Sequence, residues 1–158
     1  MSSTLIIVLS CLVAYLTGSV PTSVWLGKAR YGIDVRQHGS GNAGATNTFR
    51  VLGKKAGIFV LIIDALKGSA AVGLALILSH RFGQDTDEVI LTTILAGAAA
   101  VIGHIFPIYA GFRGGKGIAT LLGIMAVLHW QLTLICIGIF LITLLVSKYV
   151  SLGSMLAA

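Results

Sequence analysis

The chain has 158 residues, of which 56% are hydrophobic and only 10% are charged, and its mean hydropathy is +0.98. Because a soluble domain carries about 25% charged residues, this composition excludes an ordinary water-soluble protein. The formal net charge is +6, but the basic residues lie in short segments between apolar runs, as in the cytoplasmic loops of membrane proteins. We therefore predict no nucleic-acid partner and an all-α, polytopic integral membrane helix bundle, a single transmembrane domain over residues 1–158.

Apolar runs long enough to cross a bilayer as helices, about 20 residues each, mark the predicted spans in chain order. They are Thr4–Leu26, Ala56–Leu78, Val89–Ala110 and 118–146. The last run is interrupted at His129–Gln131, so we interpret it as two short spans, which makes about five spans in this chain. Near the inner end of the first span, Gly18, Ser19 and Pro21 predict a kink or a close helix contact.

The loops between these spans alternate in charge. The first loop, Lys28–Lys55, is basic, the turn His80–Glu88 is mainly acidic, and the turn Gly111–Gly117 is basic again. The positive-inside rule places both basic loops in the cytoplasm, so the two glycine-rich segments face the same compartment. The last residues, Ser151–Ala158, look like the opening of another helix, and we expect the full protein to continue with further spans.

The first candidate motif is the glycine-rich segment Gly39–Arg50. Its glycines have the spacing of a dinucleotide-binding loop, but no buried strand precedes them, so we reject that interpretation. Glycines also let backbone N–H groups face an anion, and the start of a helix adds the positive end of its dipole. A helix over Ala43–Leu52 would place Asn42, Thr46 and Arg50 on one face. Their amide, hydroxyl and guanidinium donors suit phosphate and polyol oxygens.

The second candidate motif joins His104 to the segment Gly111–Gly117. It is not a Walker loop, because Lys116 is followed by Gly117 and not by Ser or Thr. Even so, one mobile cation among exposed amides at the start of a helix can hold or neutralise a phosphate. Two alternatives stay open: Lys116 as a positive-inside anchor, and His104 as a satisfied core residue instead of a catalytic base.

Two charged residues, Asp64 and Lys67, interrupt the second span. One helical turn brings them together, so a mutually neutralising pair is the simplest account, with support of the site as the alternative. Ser40 has no base visible beside it in the sequence, so we predict no covalent acyl-enzyme. No His or Cys cluster has the spacing of metal ligands, and we expect neither a metal nor another cofactor.

Four blocks of this sequence resemble, in the same order, the bacterial acyl-phosphate:glycerol-3-phosphate acyltransferases of the PlsY family. The blocks are Gly18–Pro21, Gly39–Arg50, Asp64–Gly68 and His104–Thr120. The resemblance implies an enzyme that moves a fatty acyl group from acyl phosphate to the 1-hydroxyl of glycerol 3-phosphate, giving lysophosphatidic acid. It also implies a bacterial inner-membrane location with the active site facing the cytoplasm, and the enzyme that supplies acyl phosphate as a further candidate partner. A further family block near the C-terminus, with an Arg-His pair and an Asn, does not occur in this chain.

On this resemblance we assign roles to the candidate residues. Arg50, Lys116 and Asn47 would bind glycerol 3-phosphate, and Ser40 would bind a substrate oxygen. The substrate-binding residues of the two loops are Gly41, Asn42, Thr46, Asn47, Gly114, Gly115 and Gly117. The catalytic candidates are Ser40, Arg50, His104 and Lys116, and the base is His104, a residue of the absent block, or the substrate phosphate itself. A channel or transporter for a phosphorylated metabolite would use the same basic loops as a vestibule and stays as the alternative function.

Overall fold

The structure, a computed structural model, describes residues 2–156, and every regular element among them is helical. The α-helices are α1 (Ser3–Gly18), α2 (Thr22–Leu26), α3 (Ala45–Leu52), α4 (Lys54–Arg81), α5 (Thr86–Ile105), α6 (Ile118–Leu128), α7 (Trp130–Ser147) and α8 (Val150–Leu156). A π-helical turn, Gly27–Tyr31, continues α2, and short 3-10 turns occupy Val35–Gln37 and Ile108–Ala110. The predicted all-α architecture is confirmed.

The chain divides into two compact units, residues 1–124 and residues 125–158. In the first unit α1 packs against α4 and α5, α4 packs against α5, and α3 lies against α4; in the second unit α7 packs against α8. The helical stretches long and apolar enough to cross a membrane are Ser3–Tyr31, Lys54–Arg81, Thr86–Ala110 and Trp130–Ser147.

The apolar run 118–146, predicted as two short spans, forms two helices that are separated at His129. Its first helix, α6, has only 11 residues. At 1.5 Å per residue that length is about half of the roughly 30 Å hydrocarbon core of a bilayer. Helix α6 is therefore too short to cross the membrane at full thickness.

The first span is broken where the sequence predicts a kink. Helix α1 ends at Gly18, and α2 begins at Thr22 after a short non-helical turn. The carbonyl oxygen of Val20 in this turn accepts a hydrogen bond from Nζ of Lys67 in α4, at 2.8 Å. The same carbonyl also accepts from the N–H of Thr22, at 3.1 Å. Because backbone groups at a helix break inside a bilayer need hydrogen-bond partners, the lysine adds a second donor from the neighbouring helix and stabilises the break.

Helices in the first unit approach each other closely at glycines. A Cβ atom on Gly18 would overlap the carbonyl oxygen of Ala100 in α5, and one on Gly103 would overlap that of Tyr15 in α1. Such small-residue contacts let helix backbones approach within a membrane, where no hydrophobic effect drives the helices together.

The same kind of contact joins α4 to α6. A Cβ atom on Gly68 would overlap the carbonyl oxygen of Thr120, and one on Gly123 would overlap that of Ala65. The hydroxyl of Ser69 adds a hydrogen bond to the Gly123 carbonyl, at 2.7 Å. Helix α6 and the loop before it are thereby held against α4.

Replacing Gly68 with Ala is expected to destabilise the protein, because the new methyl group would overlap backbone and not a flexible side chain. Overpacking of this kind costs about 1–3 kcal/mol, which thermal unfolding in detergent would show as a lower midpoint. Gly73 is the matched control, since it lies in the same helix and its Cβ would meet nothing within 4 Å. Gly73→Ala should leave the midpoint unchanged or raise it, and equal midpoints for the two variants would contradict the α4–α6 contact.

Candidate functional site

The first glycine-rich loop is organised around Asn47, which is only 1% exposed. Its side-chain N–H₂ group donates to the carbonyl oxygens of Val35 at 2.9 Å and His38 at 3.1 Å, and its Oδ1 accepts from the backbone N–H of Ser40 at 2.8 Å. The amide that was expected to bind substrate is thus engaged inside the protein. Asn47 shapes the loop that carries Ser40, while the Ser40 side chain itself is exposed.

Two glycines in this loop have left-handed backbone angles that other residues rarely adopt. Gly39 has φ 62° and Gly41 has φ 72°, and a Cβ on Gly39 would also overlap Oδ1 of Asn47. The N–H of Gly41 donates to the His38 carbonyl at 3.1 Å. Because the Ser40 and Gly41 amides are both engaged within the loop, they are not free to bind an anion, whereas the N–H of Asn42 has no hydrogen-bond acceptor among the described residues.

Helix α3 begins at Ala45, with Gly44 before it as the cap, two residues later than the sequence predicted. Thr46 and Arg50 lie four residues apart on its exposed side, as predicted. Asn42 precedes the helix and so does not belong to that face by helical periodicity. As at any helix start, the first N–H groups of α3 have no acceptor within the helix.

The second glycine-rich loop folds back onto the end of α5. The N–H of Gly114 donates to the Ile105 carbonyl at 3.0 Å, and the N–H of Gly115 donates to the His104 carbonyl at 3.1 Å. Among the described residues, the N–H groups of Lys116 and Gly117 have no hydrogen-bond acceptor, and α6 begins immediately after them. The Lys116 side chain is exposed, so a cation stands beside a free helix N-terminus.

The two loops touch each other. The N–H of Ala43 lies 3.4 Å from the carbonyl oxygen of Gly114, and the Ala43 carbonyl accepts from the hydroxyl of Ser23 at 2.8 Å. A Cβ on Gly115 would come within 3.1 Å of the same Ala43 carbonyl and would overlap Nε2 of His104. The chain segments leading into α3 and α6 are therefore in contact, which brings two helix N-termini together. Helix N-termini attract anions through their free N–H groups and dipoles.

Arg36 makes a second bridge between the loops, which the sequence motifs did not predict. Its guanidinium binds both carboxylate oxygens of Asp34, at 2.9 and 2.7 Å, and reaches the carbonyl oxygens of Ala110 at 2.6 Å and Arg113 at 3.2 Å. The guanidinium of Arg36 holds the pKa of Asp34 well below its usual range. The carboxylate is consequently charged at any physiological pH.

A buried polar cluster lies behind the second loop. Asp64 and Lys67 form the ion pair that the sequence predicts, with 2.8 Å between Nζ and Oδ1, and their side chains are 2% and 6% exposed. The hydroxyl of Thr22 donates to the same Asp64 oxygen at 3.0 Å. His104 is buried as well, with 3.1 Å between its Nδ1 and the hydroxyl of Thr120. His104 thus supports Gly115 from inside the protein, and its role as a base stays a prediction.

No three His, Cys, Asp or Glu side chains among residues 2–156 converge in a way that would hold a metal ion. The polar groups that reach the surface of the two loops are instead hydrogen-bond donors and cations. Among the described residues they include Ser40, Thr46, Arg50, Lys116 and the free N–H groups at the starts of α3 and α6. Such a set can bind phosphate or carboxylate oxygens.

This chain has relatives among known proteins. Residues 8–158 match the family model described as glycerol-3-phosphate acyltransferase. The chain is 50% identical to a glycerol-3-phosphate acyltransferase of Chlorobaculum tepidum, over 92% of this chain and 64% of the relative. It is 52% identical to one of Chlorobium phaeobacteroides, over 98% and 66%, and 50% identical to one of Geobacillus kaustophilus, over 93% and 70%. The chain thus spans about two thirds of the length of these relatives.

Two solved structures resemble this one, both of PlsY (YgiH), described as an integral membrane glycerol 3-phosphate acyltransferase. Its glycerol 3-phosphate form superimposes with a TM-score of 0.81 at 38% identity, covering 96% of this chain and 72% of that chain. Its lysophosphatidic acid form superimposes with a TM-score of 0.77, covering 96% and 71%. The resemblance stated from the sequence motifs is confirmed, and the chain belongs to the glycerol-3-phosphate acyltransferase family.

Proposed function

We propose that this protein transfers a fatty acyl group from acyl phosphate to the 1-hydroxyl of glycerol 3-phosphate and releases lysophosphatidic acid and inorganic phosphate. The observation that carries the proposal is the contact of the two glycine-rich loops, with 3.4 Å between the Ala43 nitrogen and the Gly114 oxygen. This contact joins the segments that lead into α3, which carries Arg50, and into α6, which follows Lys116. Helix N-termini and cations of this kind can neutralise the charge of two phosphate-bearing substrates. Membership of the family supports glycerol 3-phosphate as the acceptor.

The reaction needs alignment more than covalent chemistry. In acyl phosphate the acyl carbon is already activated, because phosphate is a good leaving group. The 1-hydroxyl oxygen forms a bond to the acyl carbon, the bond from that carbon to the phosphate oxygen breaks, and the hydroxyl proton passes to the departing phosphate or to a nearby base. Holding the hydroxyl beside the acyl carbon and stabilising the charge on the oxygens would supply most of the acceleration.

The residues divide between these tasks. Arg50 binds the phosphate of glycerol 3-phosphate, since a guanidinium matches phosphate with two parallel hydrogen bonds. We place Lys116, expected from the sequence to bind glycerol 3-phosphate, instead with the free N–H groups at the start of α6. Together they bind the acyl phosphate and neutralise the charge that grows on its leaving oxygens. Ser40 and Thr46 donate hydrogen bonds to substrate oxygens. Asn47 holds the first loop in shape and has no direct substrate contact, which revises the role expected from the sequence.

The membrane setting fits these two substrates. Acyl phosphate carries a long apolar chain that would lie between the spans, in the lipid, while glycerol 3-phosphate is soluble and would arrive from the cytoplasm. The basic character of the first loop and of the Gly111–Gly117 turn supports a site on the cytoplasmic side of the inner membrane, by the positive-inside rule.

Product analysis tests the proposal. The protein, expressed from its complete open reading frame and purified in detergent, is expected to convert acyl phosphate and glycerol 3-phosphate into lysophosphatidic acid and inorganic phosphate in equal amounts. Acyl-CoA in place of acyl phosphate is the control donor and should give no product. Failure to form product in detergent, together with glycerol 3-phosphate flux across sealed vesicles, would instead favour the transporter.

A further inference from the structure

The Arg36 side chain is the most heavily bonded group between the two loops. Its Nε and Nη2 atoms bind the two oxygens of Asp34, while Nη1 is shared by the carbonyl oxygens of Ala110 and Arg113. The Arg36 and Asp34 side chains are only 16% and 11% exposed. Of the five N–H donors of a guanidinium, four are accounted for within the protein. Arg36 is therefore poorly placed to bind a substrate phosphate, in contrast to Arg50.

The turn that Arg36 binds, residues 110–113, has an unusual backbone conformation. Phe112 has φ 58°, a left-handed conformation that is rare for a bulky side chain and persists only when the surroundings hold it. Its own N–H donates to the Pro107 carbonyl at 2.9 Å. The two carbonyls bound by Arg36 stand on either side of Phe112, at Ala110 and Arg113. The guanidinium thus fixes the turn from both sides.

The position of this turn determines where the start of α6 lies. Gly114 comes directly after Arg113, and the free N–H groups of Lys116 and Gly117 lie two and three residues beyond Gly114. On the other side, Arg36 lies in the 3-10 turn Val35–Gln37, whose Val35 carbonyl is bound by Asn47 of α3 at 2.9 Å. A continuous chain of polar contacts therefore runs from α3 through Arg36 to the loop that begins α6.

From this geometry we infer that Arg36, fixed by Asp34, is a positioning residue that sets the distance between the phosphate-binding starts of α3 and α6. The inference rests on the proposed function, in which the acceptor is held from α3 and the acyl donor from the start of α6. Arg36 contacts neither substrate. It fixes the distance between the part of the site that binds the acceptor and the part that binds the acyl donor. Because misplacing bound reactants by about 1 Å can cost on the order of 100-fold in rate, loss of this bridge should affect turnover more than binding.

Lys cannot replace Arg at this position. An ammonium is a compact charge without the planar fork, so it cannot hold the Asp34 carboxylate and the two carbonyls together. Arg36→Lys is therefore expected to lower kcat for acyl transfer about tenfold, while the KM for glycerol 3-phosphate changes by less than about threefold. Hydrogen exchange should also quicken at the N–H groups of Gly114 and Gly115, which are bonded in the intact loop.

Lys28→Gln is the matched control. Lys28 also pairs with Asp34, at 3.5 Å, but its side chain is 59% exposed and forms no hydrogen bond to the second loop among the described residues. Its replacement should leave kcat, KM and loop exchange unchanged. If Lys28→Gln lowered kcat as much as Arg36→Lys, the loss of kcat would come from the general charge around Asp34. The hydrogen bonds of Arg36 to the second loop would then not explain it.

Chemical rescue separates positioning from simple loss of stability. Arg36→Ala should regain part of its kcat when guanidinium chloride is added well below denaturing concentrations, because the free ion can enter the space between Asp34 and the carbonyls. Sodium chloride at the same concentration should give no rescue. A destabilised protein without a specific cavity would lose activity further in guanidinium, and that result would overturn the proposal.

The two proposals fail in different ways. If the unmodified protein makes no lysophosphatidic acid, the proposed function fails, and the positioning role fails with it. If the unmodified protein is active and Arg36→Lys turns over at the same rate, only the positioning role is overturned.

Discussion

Replacing Arg50 with Ala is expected to lower kcat/KM for glycerol 3-phosphate by about 100-fold or more. Arg50 is exposed on α3, one helical turn after Thr46, where it can reach a phosphate held at the start of that helix. A hydrogen bond to a charged group contributes about 1.5–3 kcal/mol, and a guanidinium makes two of them to one phosphate. Steady-state kinetics with acyl phosphate fixed and glycerol 3-phosphate varied would measure the loss.

The Lys variant distinguishes a bidentate phosphate ligand from a simple positive charge. Arg50→Lys keeps the charge and the topology signal but loses the planar fork, so it should recover little of the kcat/KM that Arg50→Ala loses. Arg81 offers a control, because it is exposed at the opposite end of α4, a helix of 28 residues. Arg81→Lys should be kinetically silent, and near-normal kinetics for Arg50→Lys would mean that Arg50 is not a phosphate ligand.

Removing the carboxylate of Asp64 is expected to destabilise the protein by about 3–5 kcal/mol, the usual cost of leaving one partner of a buried ion pair alone. Asp64 is 1% exposed and receives hydrogen bonds from both Thr22 and Lys67. Asp64→Ala would leave the ammonium of Lys67 without its counter-ion inside a membrane-spanning helix. The midpoint of thermal unfolding in detergent and the yield of monodisperse protein would both measure this loss of stability.

Neutralising both partners of the ion pair should lower the free energy of unfolding by less than the sum of the losses caused by the two single substitutions. Asn at position 64 can still accept from Thr22, and Met at position 67 fills the space of the lysine stem without a charge. In a double-mutant cycle, Asp64→Asn with Lys67→Met is expected to show a favourable interaction between the two substitutions. Asp87→Ala, on the exposed first turn of α5, should change stability by no more than about 0.5 kcal/mol. Additive losses in the cycle would mean that the pair is not energetically coupled.

The parts of the structure that depend on local sequence were predictable. Hydropathy marked the spans because crossing a bilayer requires a long apolar helix. The pairing of Asp64 with Lys67 followed from one helical turn and from the cost of an unpaired charge in a membrane. The kink after Gly18 followed from the small residues and Pro21. Family motifs then supplied the functional assignment, which the comparisons bear out at the level of the family.

The parts that depend on distant contacts were not predictable from one sequence. Arg36 and Ala110 are 74 residues apart in the chain, and no local pattern distinguishes Arg36 from the other basic residues of its loop. The inward orientation of Asn47 depends on how the loop over 35–40 folds around it, which periodicity does not describe. The same folding engages the amides of Ser40 and Gly41 and leaves the free donors at the helix starts instead.

The hydrogen bond from Lys67 to the Val20 carbonyl has a consequence for how the protein is made. Helix α1 and the break after it leave the ribosome before α4, so at that stage the Val20 carbonyl has only the N–H of Thr22 as a donor, at 3.1 Å, and its second donor, Lys67, has not yet been synthesised. The Asp64–Lys67 pair, by contrast, lies within one turn of α4 and can neutralise itself during insertion, which lowers the cost of moving two charges into lipid. Helix α4 therefore enters the bilayer with the Lys67 ammonium, which then donates a hydrogen bond to the break between α1 and α2. A Lys67 variant would insert α4 without this link to the break after α1, and the effect would appear in the yield of inserted protein before any substrate is bound.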